Sequence, residues 1–303
     1  MPALILHHFD ASPFAEKVRV ALGIKRLEWA SVQIPMIMPK PDLMPLSGGY
    51  RKTPVLQVGA EVYCDTALIL DELERLHPEP PLFPPDVAGL APAMSRWSDT
   101  SFFEPGAGLS MGLNPDLPEP ILADRKQFFE FMDFDELASS VPHLMDQFFA
   151  EVAKVEAQLS DGRAFWLGDA VTALDIFAYF PLWMARANVP GAIELLKPFA
   201  HTERWTQRVA DIGSGQSQAL KGSAALDIAR ASEPKAGRGV VASHTHFSAY
   251  DTVTVTPTDY GAVPVTGTLI TLDHARISLR RVTPQTGPIN THFPRAGYRL
   301  DPA

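Results

Sequence analysis

The opening of the sequence constrains the fold more than any other segment. A continuous apolar run at residues 4–6 is typical of a strand buried on both faces of a sheet, and a polar stretch separates it from a helix that begins at Pro13. The apolar residues of this helix share one face, at Phe14, Val18 and Leu22. A second short strand follows at residues 32–34. This order predicts a β-α-β unit with parallel strands.

An antiparallel hairpin is predicted next, at residues 55–64, where two β-type runs flank the two-residue turn Gly59-Ala60. Asp65 or Thr66 then caps a helix with an apolar stripe between residues 69 and 76. The proline-rich segment at residues 78–85 is typical of a stiff linker. The first domain therefore has the order β-α-β followed by β-β-α and ends at this linker.

Two further domains follow from changes in the residue pattern. From about residue 91 to residue 230 the apolar residues have helical spacing, which predicts an all-helical bundle. After Pro234, threonine, valine and tyrosine dominate, which predicts four to five short antiparallel strands in a small sheet or barrel. We predict an α/β domain, an all-α domain and a small all-β module, with the bounds 1–84, 85–235 and 236–303.

Composition narrows the expected partners and location. The chain has 26 Lys and Arg against 35 Asp and Glu, a net charge of −9, and its basic residues are scattered, so we expect no binding of nucleic acid. The single cysteine, Cys64, rules out an internal disulfide and an all-cysteine metal site and fits a reducing compartment. No stretch reaches the roughly 20 apolar residues that span a bilayer. We therefore expect no membrane association and a cytoplasmic location.

Ser12 is the first candidate for chemistry, because it lies between the first strand and the first helix. The unpaired N–H groups and the dipole of a helix N-terminus stabilise an anion there. A thiolate bound beside Ser12 would also accept a hydrogen bond from the hydroxyl, and the pKa of the thiol would fall. The position is also that of an ordinary N-cap serine, and the local sequence leaves both interpretations open.

Two residue pairs are candidates for binding a peptide. Thr53-Pro54 places a proline at the start of a strand, where a cis bond and unpaired backbone groups would let an extended peptide pair with the chain. Asp65-Thr66 opens a helix, where N–H groups can hold a carboxylate and Asp65 can hold an ammonium group. The alternatives are an ordinary strand start for the first pair and a helix cap for the second.

In this order and spacing, these motifs resemble the glutathione transferase superfamily. The motifs that carry the resemblance are Ser12-Pro13-Phe14, Thr53-Pro54-Val55-Leu56 and Asp65-Thr66. Downstream, residues 168–176 resemble the helix-capping motif of the family's helical domain, with Thr172 and Asp175 as a capping box. The resemblance covers roughly residues 3–210 and implies a thioredoxin-like N-terminal domain followed by the helical domain. The strand-rich tail lies outside this common fold and resembles that of a bacterial-type subgroup.

The resemblance implies a role for each matched residue. Ser12 would be the catalytic hydroxyl that activates the thiol of glutathione. The glutathione-binding residues would be Lys52, Thr53, Pro54, Val55, Asp65 and Thr66. Pro54 would be the cis-proline, and the backbone of Val55 would pair with the cysteinyl unit. Asp65 and Thr66 would hold the γ-glutamyl end, and Lys52, or alternatively Lys40, would meet the glycyl carboxylate.

The remaining candidates concern a second substrate and a metal. We expect a pocket for a hydrophobic electrophile with apolar walls from Phe14, Trp97, Phe102, Phe103 and Met111, although residues on a helical stripe fit a core equally well. Cys64 and His7-His8 are more readily explained as structural residues. His244 and His246 have no carboxylate or cysteine beside them, so no metal site is predicted.

Three functions stay open at this stage. The first is a glutathione transferase, in which glutathione is the co-substrate, no metal is needed and the thiolate held at Ser12 attacks a small electrophile. The second is a protein of the same shape that binds a partner through the β tail and does not catalyse a reaction. The third is a glutathione-dependent isomerase or ether-cleaving enzyme. The resemblance also implies a homodimer.

Overall fold

The computed structural model describes residues 3–241 and 245–303. Its contacts divide the chain into two compact units. We call them the sheet unit, which comprises Met1–Ala15, Glu28–Glu72 and Gln216–Ala303, and the helical unit, which comprises Glu16–Leu27 and Leu73–Gly215. Across the described ranges, no helix is long and apolar enough to cross a membrane.

The secondary structure follows the order that the sequence predicts, with additions described below. The strands are β1 Leu4–His8, β2 Glu28–Gln33, β3 Val55–Val58, β4 Glu61–Cys64, β5 Gln216–Ala219, β6 Gly239–Val240, β7 Thr252–Pro257, β8 Val265–Leu272, β9 Arg276–Thr283, β10 Gly287–Pro294 and β11 Tyr298–Pro302. The helices are α1 Pro13–Ile24, α2 Met44–Ser47, α3 Thr66–Leu76, α4 Pro85–Ala88, α5 Ala91–Trp97, α6 Phe103–Gly112, α7 Glu119–Phe128, α8 Leu137–Gln158, α9 Ala173–Asn188, α10 Ala192–Leu196, α11 Ala200–Ala210 and α12 Gly222–Arg230. A π-helical segment, Ser98–Phe102, joins α5 to α6.

The N-terminal strands confirm the predicted β-α-β and β-β-α order. β1 pairs in parallel with β2 and antiparallel with β3, and β3 pairs antiparallel with β4. All five residues of β1 are buried, which explains its continuous apolar start. The resulting order β2-β1-β3-β4 is the thioredoxin-like arrangement that the resemblance implies.

The tail forms strands, as predicted, and these strands extend the N-terminal sheet. β7 to β10 form an antiparallel meander, and β11 pairs with β7. β10 pairs in parallel with β4, with Thr291 opposite Val62, so a single sheet of eleven strands runs through the described residues. The contacts therefore group residues 236–303 with the N-terminal strands, whereas the sequence predicts a separate module. The physical reason is that the open edge of β4 finds its backbone hydrogen bonds in β10.

β5 interrupts a segment that the sequence predicts to be helical. It pairs in parallel with β2, with Ser217 opposite Trp29, and covers the other edge of the thioredoxin-like strands. All four of its side chains are exposed, so it has none of the apolar alternation by which a strand is recognised in a sequence. α12 follows it and packs on β2 and β10.

The helical unit is organised around α9, and its predicted capping box is confirmed. Thr172 is the N-cap and Asp175 the third residue of the helix. The fully buried Asp175 carboxylate accepts the backbone N–H of Thr172 at 2.9 Å, the backbone N–H of Trp166 at 2.7 Å and the indole N–H of Trp205 at 2.9 Å. Burial raises the pKa of Asp175, and the hydrogen bonds oppose that rise.

Candidate functional site

The strand directions bring the three candidate motifs together at one end of strands β1, β3 and β4. β1 runs toward Ser12, and the antiparallel β3 starts opposite its end, with Val55 opposite His7. β4 runs back again and ends with Cys64 opposite Val55. The segments around Ser12, Thr53-Pro54 and Asp65-Thr66 therefore meet where β1 and β4 end and β3 begins. We call this place the candidate site.

Ser12 caps α1, as the structural interpretation of the sequence expects. Its Oγ accepts the backbone N–H of Ala15 at 3.2 Å, and its own N–H donates to the Phe9 carbonyl at 3.1 Å. A hydroxyl that accepts a hydrogen bond keeps its own hydrogen for donation. The side chain is buried, so a ligand thiol must pass below the protein surface to contact the hydroxyl. The capping role and a role as donor to a thiolate are thus chemically compatible.

Thr53 and Pro54 lie just before β3, and the peptide bond between them is cis. The Thr53 hydroxyl accepts a hydrogen bond from Lys40 Nζ at 2.9 Å, and the same ammonium group also donates to the Arg51 carbonyl at 3.1 Å. Val55 lies inside the sheet, between β1 and β4. Because Val55 already has a neighbouring strand on each side, the backbone of Thr53, just outside the sheet, is the more accessible partner for a bound peptide.

Asp65 links the candidate site to the C-terminal strands. It has a positive φ of 79°, in the left-handed region that aspartate tolerates better than most residues, and its Oδ1 accepts the N–H of Ala67 at 2.9 Å. Its Oδ2 accepts the hydroxyl of Tyr298, the first residue of β11, at 2.9 Å. The Tyr50 hydroxyl lies 3.3 Å from that of Tyr298. Burial raises the pKa of both tyrosines, and the nearby Asp65 carboxylate adds to the effect, so both hydroxyls stay protonated. Thr66 is the buried first residue of α3.

Lys52 is also bound by the C-terminal part of the chain, at a loop between two strands. Its Nζ forms an ion pair with Asp259 and lies 4.4 Å from the ring centre of Tyr260. Both partners belong to the segment 258–264 between β7 and β8, which we call the β7–β8 loop. Lys52 is buried and Asp259 is exposed. The sequence analysis did not find Asp259, Tyr260, Tyr50 or Tyr298, because nothing in the local sequence indicates a partner more than 200 residues away.

Cys64 and the histidines of the sheet unit have structural surroundings. Cys64 is fully buried in the apolar core, and burial raises the pKa of its thiol. His7 is fully buried, with Nε2 2.9 Å from Gln57 Oε1. His246 packs on Phe247, and His244 lies outside the described residues. Within the ranges 3–241 and 245–303, no group of three acidic, histidine or cysteine side chains is placed to hold a metal ion.

The five pocket candidates differ in their surroundings. Phe102 and Phe103 are buried in the helical unit, with ring centres 5.2 Å from Phe148 and 5.9 Å from Phe180 respectively. Trp97 donates its indole N–H to Glu151 at 2.7 Å. The other two candidates, both partly buried, are Phe14 and Met111. A cleft of about 330 Å³ in the helical unit has a different lining: Tyr179, Trp183, Arg186, Ala187, Thr206, Gln207 and Ala210.

Comparison with known proteins identifies the family. The family model for the glutathione S-transferase N-terminal domain matches residues 6–81, and the model for the C-terminal domain matches residues 138–208. The solved structure of a GST-like protein from Pseudomonas syringae is 32% identical, covers 100% of both chains and has a TM-score of 0.81. The chain therefore belongs to the glutathione S-transferase superfamily, as the motifs imply.

Two other relatives match parts of the chain. FtsZ-localized protein A of Caulobacter vibrioides is 32% identical over 102 residues, which is 32% of this chain and 45% of that protein, less than half of its length. A glutathione S-transferase from Methylobacillus flagellatus, solved with glutathione bound, is 16% identical and covers 70% of this chain and 99% of its own, with a TM-score of 0.54. This second likeness shows the fold alone.

Proposed function

We propose that this protein binds glutathione at the candidate site and lowers the pKa of its thiol at Ser12, so that the thiolate attacks a small hydrophobic electrophile. The observation that supports the proposal is the convergence of Ser12, Thr53-Pro54 and Asp65-Thr66 at one end of strands β1, β3 and β4. Membership of a family of glutathione-dependent proteins adds to this support.

The proposed mechanism uses stabilisation of charge and positioning. The Ser12 hydroxyl donates a hydrogen bond to the thiolate, and the N-terminus of α1 adds its positive field. The proton of the thiol goes to water, a C–S bond forms, and the electrophile either expels its leaving group or takes up a proton. Asp65 and Thr66 hold the γ-glutamyl end and Lys52 the glycyl end, which keeps the sulfur beside the reacting carbon.

Calorimetric titration with glutathione tests the binding step. We expect saturable binding by the unaltered protein and a loss of about tenfold or more in the Asp65→Asn variant, because the amide keeps the helix cap and tolerates the positive φ but loses the charge that attracts an ammonium group. Asp227→Asn is the matched control, since Asp227 is exposed on α12 and pairs with Arg230. Absence of binding in the unaltered protein would contradict the proposal.

Ser12→Ala tests the chemical step. A hydrogen bond to a charged group contributes about 1.5–3 kcal/mol, so the rate of conjugation with a panel of electrophiles should fall about 10- to 100-fold. The pKa of the bound thiol, followed by thiolate absorbance against pH, should rise in this variant. Ser12→Thr keeps the hydroxyl and the cap and should retain most of the activity. An unchanged rate in Ser12→Ala would exclude the assigned role.

A binding protein without catalytic activity is the second candidate function. Two observations favour it: a relative is named as an FtsZ-localized protein, and the chain's own tail contacts Lys52 and Asp65. Binding of glutathione without turnover of any electrophile would support this candidate, and turnover of an isomerisable or ether substrate would instead support an isomerase or ether-cleaving enzyme. Each version includes a homodimer, which sedimentation velocity tests.

A further inference from the structure

The two ends of the candidate site are in contact with different parts of the C-terminal segment, one with a loop and the other with a strand. Lys52, at the proposed glycyl end, is paired with Asp259 of the β7–β8 loop. Asp65, at the proposed γ-glutamyl end, is bound by Tyr298 of β11. The tail thus supplies a carboxylate where glutathione has its glycyl carboxylate, and a hydrogen-bond donor where glutathione has its ammonium group.

The carboxylate of Asp259 competes with that of a ligand for the same cation. A second carboxylate that approached Lys52 would be repelled by Asp259 and would find the ammonium charge already compensated. Lys40, the alternative cation in the sequence analysis, is buried and donates to Arg51 and Thr53 within its own loop. Lys40 keeps its charge, but its ammonium group is already hydrogen-bonded to these two neutral acceptors, and the charge of Lys52 is balanced while Asp259 stays in place.

The partners of Lys52 and Asp65 differ in how easily they can move. The Asp259 side chain is 45% exposed and lies on a loop, whereas the Lys52 side chain is 10% exposed. Asp259 can therefore leave Lys52 and be solvated, because its charge already faces water. Tyr298 lies in a strand, is buried in the apolar core and contacts Phe293 at 5.6 Å between ring centres. Its hydroxyl is a fixed part of the site.

We propose that Asp259 is a built-in competitor for glutathione, which holds Lys52 until the carboxylate of the ligand displaces it. This inference rests on the proposed binding of glutathione at the candidate site. In this proposal the β7–β8 loop lowers the affinity of Lys52 for a ligand carboxylate, and the C-terminal segment thereby influences which thiol ligands bind. A thiol ligand without a charge at the glycyl end escapes the competition, since it does not need Lys52.

Titration of three proteins with two ligands tests the proposal. The proteins are the unaltered chain, Asp259→Asn and the control Asp301→Asn, and the ligands are glutathione and glutathione amidated at its glycyl carboxylate. Asp301 lies in β11 and pairs with Arg299 instead of Lys52. A partly exposed ion pair contributes up to about 1 kcal/mol, so Asp259→Asn should bind glutathione about three- to fivefold more tightly. The amidated ligand should bind the unaltered chain and Asp259→Asn with equal affinity. Asp301→Asn should bind each ligand as the unaltered chain does.

The outcomes distinguish a failure of the proposed competition by Asp259 from a failure of the proposed binding of glutathione. Glutathione binding by the unaltered chain with equal or weaker binding by Asp259→Asn would overturn the competition and leave the proposed function standing. An equal gain for both ligands would also overturn it, because the gain would not depend on the glycyl carboxylate. No binding of either ligand to any of the three proteins would overturn both. Because Asp259 is exposed and keeps its size as asparagine, circular dichroism should show no loss of fold.

Discussion

A buried carboxylate with several hydrogen-bond donors occurs in each unit, Asp175 in the helical unit and Glu61 in the sheet unit, and the two differ in where their donors come from. Asp175 of the helical unit binds donors within 30 residues along the chain, at Trp166, Thr172 and Trp205. Glu61 of the sheet unit binds donors at least 174 residues away, which are the Lys235 backbone N–H at 2.8 Å, Asn290 Nδ2 at 2.9 Å and His292 Nε2 at 2.8 Å. A local set leaves a recognisable motif in the sequence, and a distant set does not.

The donors also differ in whether they can reverse their role. Three of the four donors to Asp175 are backbone and indole N–H groups, which can only donate, and the fourth is the Thr172 hydroxyl at 3.3 Å. At Glu61, burial lowers the pKa of His292, so the imidazole is neutral and its Nε2–H donates to the carboxylate while Nδ1 accepts the Ser278 hydroxyl at 2.8 Å. A neutral imidazole can exchange these roles by changing its tautomer, and the serine hydroxyl can rotate to match. The sheet unit should therefore tolerate the loss of its carboxylate better.

The largest expected effect is that of Asp175→Asn. Each oxygen of the Asp175 carboxylate accepts at least one N–H group, so in either orientation the NH₂ group of the amide faces a donor that cannot accept. A buried donor then stays unsatisfied, and the free energy of unfolding should fall by about 3 kcal/mol. Urea denaturation followed by tryptophan fluorescence measures this change, since four of the five tryptophans belong to the helical unit. Asp161→Asn, at an exposed aspartate of the same unit, is the control and should leave the transition unchanged. A shift of the same size in both variants would contradict the argument.

The second effect is a difference between the two units in how the free energy of unfolding depends on pH. Burial lowers the pKa of His7 from 6.5 to about 4, so the unfolded chain binds the proton more tightly, and the free energy of unfolding falls as the pH drops through this interval. Between pH 7 and pH 5 this contribution should cost the sheet unit about 2 kcal/mol. In the helical unit the corresponding loss should be smaller, because the lowered pKa of His77 belongs to a half-buried imidazole.

Hydrogen exchange of the backbone amides of β1 and α9 at the two pH values, corrected for intrinsic rates, measures the difference. The His7→Gln variant keeps a donor for Gln57 and has no group that titrates in this range, so its β1 amides should lose less protection at pH 5. An identical pH response in the variant would show that another group is responsible.

The smallest effect is expected for Glu61→Gln. The His292 imidazole can change its tautomer to accept from the new amide, and the amide oxygen still accepts the Lys235 N–H, so the sheet unit should lose only about 1 kcal/mol. Exchange protection of β4 and β10 amides measures it. The NMR shifts of the His292 imidazole nitrogens should report the change of tautomer. A loss as large as that of Asp175→Asn would refute the proposed difference between the two networks.

The same contrast explains how much the sequence could predict. The first strands, the capping box and the motifs around Ser12 and Asp65 depend on neighbouring residues, so their patterns are visible locally. The pairing of β10 with β4 depends on which distant strand satisfies an open edge, and several strands of the tail have the pattern to do so. The contact of Asp259 with Lys52 depends on that pairing in turn. The strands of the tail were therefore predictable, and their place in the sheet was not.

The parallel pairing of β10 with β4 also has a consequence during synthesis on the ribosome. β4 ends at residue 64 and β10 begins at residue 287, so about 220 residues separate an open edge from the strand that covers it. At translation rates of about 5–20 residues per second, the nascent chain carries this bare edge for about 10–45 s. Over that time the edge is a template for other chains, so production of the protein in cells should depend on chaperones that shield nascent strands.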